Sequence, residues 1–178
     1  MMYVQIGASP EHDFEQPLGL LSDCHRRIEH FLGVLLKVAR EAPPGETLAE
    51  PFRRALEVAL TYFREAAPRH TQDEEESLFP RLRRAGGQHP ALDTLESDHQ
   101  EAEAMHYLVD GLASLWLDAG RLQLVQRALL AATLSRLERL YADHIRLEDE
   151  GLFPLAAELL DPGQLAEIGR EMAQRRGL

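Results

Sequence analysis

The chain has a single cysteine, Cys24, among its 178 residues. An intrachain disulfide framework is therefore impossible, and a reducing cytoplasm is the expected location. No apolar run approaches the ~18 residues that a membrane-spanning helix needs. The opening residues, MMYVQIGASPEHDFEQP, lack the basic and long apolar regions of a secretory signal. The sequence thus predicts neither a membrane span nor export.

Positive charge is also scarce, because 19 Lys and Arg residues face 30 Asp and Glu residues, and the formal net charge is -11. Nucleic acids and anionic membranes bind to basic surfaces, so neither is expected as a partner. Hydrophobic residues make up 44% of the chain and charged residues 28%, which is typical of a globular protein. An acidic chain of this kind suits carboxylates gathered around a cation.

Strand patterns are missing as well, whereas four long stretches repeat apolar residues at helical three- and four-residue steps. Short breaks such as EAPPGE, GGQHP and DAGR separate these stretches. We predict an all-α fold, an antiparallel up-down-up-down four-helix bundle over residues 18-160. Residues 1-17 are expected to form an irregular lead-in. Residues 161-178 are expected to form a short helix, capped by Asp161, that packs on the bundle.

Each of the four helical stripes carries one histidine: His25, His70, His99 and His144. The first two are 45 residues apart, as are the last two, and an offset of 74 residues relates the two pairs. The segment HTQDEEESLFP, which starts at His70, returns as HIRLEDEGLFP from His144. The pattern indicates an internal duplication of a helical hairpin.

Each of these histidines is followed four residues later by a glutamate: Glu29, Glu74, Glu103 and Glu148. Side chains four residues apart lie on the same helix face, so a His and a Glu so placed can reach one metal ion or two adjacent ones. A lone histidine on an apolar face is more often a packing residue. Four at a duplicated spacing favour a site for iron, zinc, manganese or copper, which accept imidazole and carboxylate together.

Along the chain the motifs follow the order H, H-x-x-x-E, H, H-x-x-x-E, and a Leu-Phe-Pro set follows both Glu74 and Glu148. This pattern resembles the hemerythrin-like family of HHE cation-binding domains over roughly residues 18-160. The resemblance implies a four-helix bundle with two non-haem iron ions, although another transition metal such as zinc can occupy such a site in a given preparation. It implies that the four histidines are terminal ligands. Glu74 and Glu148 would bridge the two irons.

The third helix departs from the oxygen-carrying hemerythrins, which have H-x-x-x-H where this chain has His99 and Glu103. A carboxylate there favours ferric iron, so reversible oxygen storage is not the expected function. The resemblance implies that the protein binds or reduces a small oxidant such as oxygen, peroxide or nitric oxide, and possible enzymatic activity is left open. Glu103 and Glu29 are each a direct ligand, a supporting residue or a solvated one, and Glu103 is included among the candidate ligands.

Other functions stay open at this point. A non-catalytic iron or oxygen sensor that acts through a protein partner is the alternative, as is a purely structural metal site. A homodimer is possible. Ferritin-like di-iron proteins need Glu-x-x-His on each of two helices, but ESDH and EAMH both fall on the third helix of this chain. That class fits less well.

Overall fold

The structure, a computed structural model, describes residues 10–86 and 90–178. Within those ranges it contains helices and no strand, so the all-α prediction is confirmed. The helices are α1 (Pro17–Glu41), α2 (Glu50–Glu65), α3 (Ala67–Gln72), α4 (Phe79–Gly86), α5 (Pro90–Ala119), α6 (Leu124–Leu147), α7 (Phe153–Leu159) and α8 (Pro162–Arg175). Part of the expected lead-in, residues 1–9, and part of the GGQHP break, residues 87–89, lie outside the described residues.

Four long helical columns form the bundle. α1 packs against α2 and α6, and α5 packs against the same two helices. Because each column lies beside the one that precedes it in the chain, the arrangement is the predicted up-down-up-down bundle. Among the described helices, none is long and apolar enough to cross a lipid bilayer.

Two π-helical segments interrupt the second and fourth columns. Asp73–Leu78 joins α3 to α4, and Glu148–Leu152 joins α6 to α7. The chain remains helical through and after each Leu-Phe-Pro set. π-Helical turns are rare and occur frequently at functional sites. Both segments fall on the duplicated motif and contain its glutamates.

The interior is divided into two apolar clusters. The larger one fills the bundle from Ile28 on α1 to Trp116 on α5. The smaller one gathers both Leu-Phe pairs, Leu20, Leu21 and the inner side of α8, including Ile168 and Met172. On every column the predicted histidine lies in the sequence between members of the two clusters. A polar layer is therefore enclosed between two apolar ones.

Helix α8 is tied to the first π-helical segment by ionic contacts. Asp73 is fully buried, and its carboxylate accepts hydrogen bonds from Arg175 at 2.9 Å and Arg176 at 2.7 Å. Arg175 also donates to the hydroxyl of Ser77 at 2.8 Å. Asp73 directly precedes Glu74, so these contacts fix the turn that presents Glu74 to the interior.

We expect the double variant Arg175→Gln, Arg176→Gln to lower the free energy of unfolding by about 3 kcal/mol, because it leaves the Asp73 carboxylate buried without its cations. Arg146→Gln is the control, since the ion pair of Arg146 with Asp143 is exposed and its loss costs less than about 1 kcal/mol. Urea unfolding measures both changes. Equal losses in the two proteins would show that α8 does not hold the segment in this way.

Candidate metal centre

Six buried side chains form the polar layer. His25 comes from α1, His70 from α3, His99 from α5 and His144 from α6. Glu74 and Glu148 come from the two π-helical segments, and each has 0% of its surface exposed. Burying two carboxylates at one level is unfavourable unless cations or protons compensate their charge.

The six residues form two overlapping groups that can each hold a metal ion. One group contains His25 and His70, and the other contains His99 and His144. Both groups contain Glu74 and Glu148, and within each group the ligand atoms lie within 4.8 Å of one another. Two ions held in this way would share both carboxylates. The structure thus brings together six of the seven residues that the sequence analysis selected.

The contacts inside the layer show that its polar atoms face a common space. Nε2 of His25 lies 3.0 Å from a Glu148 oxygen, and Nε2 of His99 lies 3.3 Å from a Glu74 oxygen. Among the described residues, however, neither these nitrogens nor any of the four carboxylate oxygens has a partner with hydrogen-bond geometry. Buried polar atoms without partners are costly. Metal ions would satisfy all of them at once, so the donor set fits the cations that the sequence implied.

Carboxylates outside the layer fix the orientation of three imidazoles. Nδ1 of His25 lies 3.0 Å from Asp149, and Nδ1 of His99 lies 2.8 Å from Glu75. Nδ1 of His144 faces Asp98 at 3.4 Å. An ionised carboxylate only accepts, so Nδ1 keeps its proton, and once the ring is neutral the lone pair of Nε2 is directed to the metal site.

These contacts follow the duplication. The His25–Asp149 contact in one half corresponds to the His99–Glu75 contact in the other, with the partner supplied each time by the opposite half. Phe153 stacks on His25 with ring centroids 5.5 Å apart, and Phe79 stacks on His99 at 6.1 Å. The two metal positions therefore have closely similar surroundings.

His70 departs from the symmetry. Its Nδ1 is buried and has no hydrogen-bond partner among the described residues. The counterpart of Asp98 at the 74-residue offset is Cys24, which explains why no carboxylate supports His70. Burial then lowers the pKa of His70 to about 4, more strongly than the nearby Glu74 raises it.

The electrostatics of the layer show how strongly it attracts cations. Burial lowers the pKa of His25, but Asp149, Glu148 and Glu74 outweigh this effect and raise the pKa to about 12. Burial raises the pKa of Glu74, yet His70, His25 and His99 hold it well below its usual value. Glu74 is therefore ionised at neutral pH. Without a metal the layer keeps a proton on His25, and a metal ion would displace it.

Glu103 is the one selected residue that the structure leaves outside both groups. It is exposed on α5, and its nearest polar contact is the hydroxyl of Tyr107 at 3.5 Å. Glu103 follows His99 by one helical turn of α5, and its exposed side chain borders a cavity. Glu29, its counterpart on α1, is exposed as well. The sequence pattern could not separate these glutamates from Glu74 and Glu148, because all four follow a histidine by four residues. The ligand role predicted for Glu103 from the sequence is untested, and the geometry favours a site made without it.

A cavity of about 500 Å³ leads from the surface between α3 and α5 to the polar layer. All four histidines border it. Near its inner end, Nε2 of His106 is hydrogen-bonded to the hydroxyl of Tyr141 at 2.9 Å. The Tyr141 ring lies edge-on to that of His144, with centroids 6.4 Å apart. The metal site is therefore accessible to small molecules although its ligands are buried.

Comparisons with known proteins agree with this geometry. Residues 16–156 match the family described as Hemerythrin HHE cation binding domain. An uncharacterized protein of Haemophilus influenzae is 30% identical over 165 residues, which span 92% of this chain and 91% of that protein. The family match covers all six residues of the polar layer and most of the bundle, so the resemblance seen in the motifs is confirmed.

Metal content should follow the grouping of the ligands. We expect His70→Ala and His144→Ala each to lose at least one metal per chain, because each removes an imidazole from one group. Glu74→Ala should lose both, since Glu74 belongs to both groups. Elemental analysis of the purified variants measures this. Glu103→Gln is the matched control and should keep two metals. Full retention in His70→Ala, or loss in Glu103→Gln, would contradict the assignment.

The buried ring of His106 predicts how the stability of the metal-free protein depends on pH. Burial lowers the pKa of His106 to about 4, so between pH 6.5 and 4 the unfolded chain binds a proton that the folded chain does not. Stability must fall as the pH falls through this window. The free energy of unfolding should fall by up to about 3 kcal/mol because of His106, and by less if water in the cavity solvates the ring.

Chelated wild-type protein and His106→Leu are compared by urea unfolding at pH 7 and pH 4.5. We expect the wild type to lose more stability than the variant, because leucine takes up no proton. His30→Gln changes an exposed ring and serves as the control, which should follow the wild type. Parallel loss in all three proteins would show that His106 is not held neutral by burial.

Proposed function

Because the chain belongs to the hemerythrin HHE cation-binding domain family, we propose that it is a non-haem di-iron protein that binds or reduces a small oxidant such as oxygen, peroxide or nitric oxide. One observation carries the proposal: two His₂Glu₂ groups share both of their glutamates. A pair of ions bridged by carboxylates can change its oxidation state while the ligands keep the ions in place.

The donor set supports iron as the resident metal. Imidazole and carboxylate together suit iron, manganese, zinc and copper better than calcium or magnesium, which prefer oxygen ligands alone. No thiolate lies in either group, so the soft-ligand environment typical of copper(I) is absent from the described cluster. Zinc would fit the same ligands in a given preparation but would not support redox chemistry.

When bound, the iron pair would supply the two electrons for peroxide reduction by passing from diferrous to diferric. That reaction breaks the O–O bond of hydrogen peroxide, takes up two protons and yields two water molecules. An external reductant would return the pair to the diferrous state.

The protein's own residues have other tasks. The cavity admits the oxidant, and the two apolar clusters keep bulk water out of the remainder of the layer. Tyr141 and His106 form a hydrogen-bonded pair beside the metal site, and both border the cavity. In the tautomer in which Nε2–H of His106 donates to the Tyr141 oxygen, the hydroxyl proton of Tyr141 is free to donate a hydrogen bond to an oxygen atom of the bound oxidant.

A sensor role has its own support in the contacts of α8. Arg175 and Arg176 of the chain's last residues bind Asp73, the immediate neighbour of Glu74. A shift of Glu74 on metal loading would therefore reach this C-terminal segment through Asp73. A partner protein could detect the change there. Hydrogen exchange in residues 162–178 with and without iron tests this alternative, which requires a clear difference between the two states.

Iron-loaded, reduced protein should react with peroxide in a fixed ratio. We expect one hydrogen peroxide to be consumed for each diferrous pair, and exposure to air to give the diferric form without a long-lived oxygen adduct. The reason is that each ion would have only two imidazoles beside its anionic bridges. Stopped-flow absorption measures both reactions, with chelated protein as the control. An oxygen adduct that is released under vacuum would instead indicate oxygen storage.

A further inference from the structure

Near the candidate ligands, the two duplicated halves carry different residues at three pairs of corresponding positions, all of them buried or half-buried. At the 74-residue offset, Ile28 corresponds to Ala102, Leu32 to His106 and Ala67 to Tyr141. Other buried positions also differ between the halves, for example Phe31 and Met105 or Ala59 and Thr133. However, Ala67, Ala102, His106 and Tyr141 all border the same cavity.

The substitutions have two effects that act together. Ala102 replaces the larger isoleucine of the other half, and Ala67 stands where the other half has the tyrosine ring, so space opens between α3 and α5. His106 and Tyr141 introduce the hydrogen-bonded pair where the first half has only Leu32 and Ala67. The cavity therefore has additional space and one pair of hydrogen-bonding side chains beside the metal layer.

The room exceeds what a diatomic ligand or hydrogen peroxide requires. A water molecule occupies about 30 Å³ of liquid, whereas the cavity measures about 500 Å³. This volume lies within the range of roughly 300 to 1,000 Å³ that is usual for small organic ligands. A path for oxygen alone would need only a narrow opening.

The walls define the chemistry of the occupant. Apolar side chains line the middle of the cavity, among them Ile28, Leu60, Phe63 and Val109. The charged side chain of Arg64 near the mouth is already bound to Asp110 at 2.6 Å. Glu75, Glu103 and Asp110 also border the cavity and would repel an anion, and a charged group of either sign would lose its hydration against the apolar walls. An uncharged molecule with an apolar body and one polar end is the better match.

We propose that this cavity binds an organic hydroperoxide, with the apolar body against Ile28, Leu60 and Phe63 and the oxygen end beside Tyr141 and the metal layer. The inference rests on the proposed function and names its substrate class. Breaking the O–O bond of a hydroperoxide gives one alcohol and one water, and it uses the same two electrons and two protons as hydrogen peroxide. No additional co-reactant is required.

The direct test measures binding rather than turnover. Cumyl alcohol, the non-oxidising analogue of cumene hydroperoxide, is titrated into zinc-loaded protein by isothermal calorimetry. We expect saturable binding at one site per chain. Ala102→Ile restores the residue of the other half, and it should weaken binding at least tenfold because the larger side chain overlaps the ligand's space. Tyr141→Phe should weaken binding roughly three- to tenfold through loss of one hydrogen bond.

Ala104→Ile is the matched control, because it makes the same change at an exposed position of α5 and should leave binding unchanged. If Ala102→Ile does not fold, Ala67→Val narrows the same wall with a smaller change. Failure of the wild type to bind, or equal affinity in Ala102→Ile and Ala104→Ile, would overturn the inference. Binding that follows this pattern in a protein whose iron form ignores peroxide would support the cavity assignment and refute the proposed function instead.

Discussion

The structure depends on the burial of two glutamates at one level of a helical bundle. Glu74 and Glu148 are fully enclosed, and their four carboxylate oxygens face four imidazoles rather than hydrogen-bond donors of proper geometry. Such an arrangement is unfavourable on its own, because each charge has lost its hydration. Apolar clusters above and below the layer, stacked phenylalanines and the outer carboxylates all act to hold these groups where cations can neutralise them.

The parts of the bundle that follow the 74-residue duplication and the parts that depart from it have different roles. The elements that obey the 74-residue duplication form the candidate metal site: the four histidines, the two buried glutamates, the stacked rings and the π-helical turns. Among the positions that depart from it, Ala67, Ala102, His106 and Tyr141 border the cavity. We infer that the duplicated hairpin supplies the binding site and that later divergence of one face determines which molecules reach it.

Much of this was predictable from periodicity. Helical stripes that each contain a histidine predict a bundle, and the repeated His and Glu spacing includes the six residues that the structure brings together, together with Glu29 and Glu103. The π-helical turns were not predictable, because they depend on tertiary packing rather than on local propensity. The supporting roles of Asp149, Glu75 and Asp98 arise across helices. Glu103 shares the spacing of the buried glutamates, and only the orientation of its helix in the bundle separates it from them.

The position of the metal ions themselves tests the central claim most directly. Crystals of iron-loaded protein, measured at the iron absorption edge, would locate each ion by anomalous scattering. We expect two peaks about 3.5–4 Å apart, each near two of the four histidines, with Glu74 and Glu148 between them. A single peak, or a peak coordinated by Glu103, would contradict the account of two ions that share two buried carboxylates.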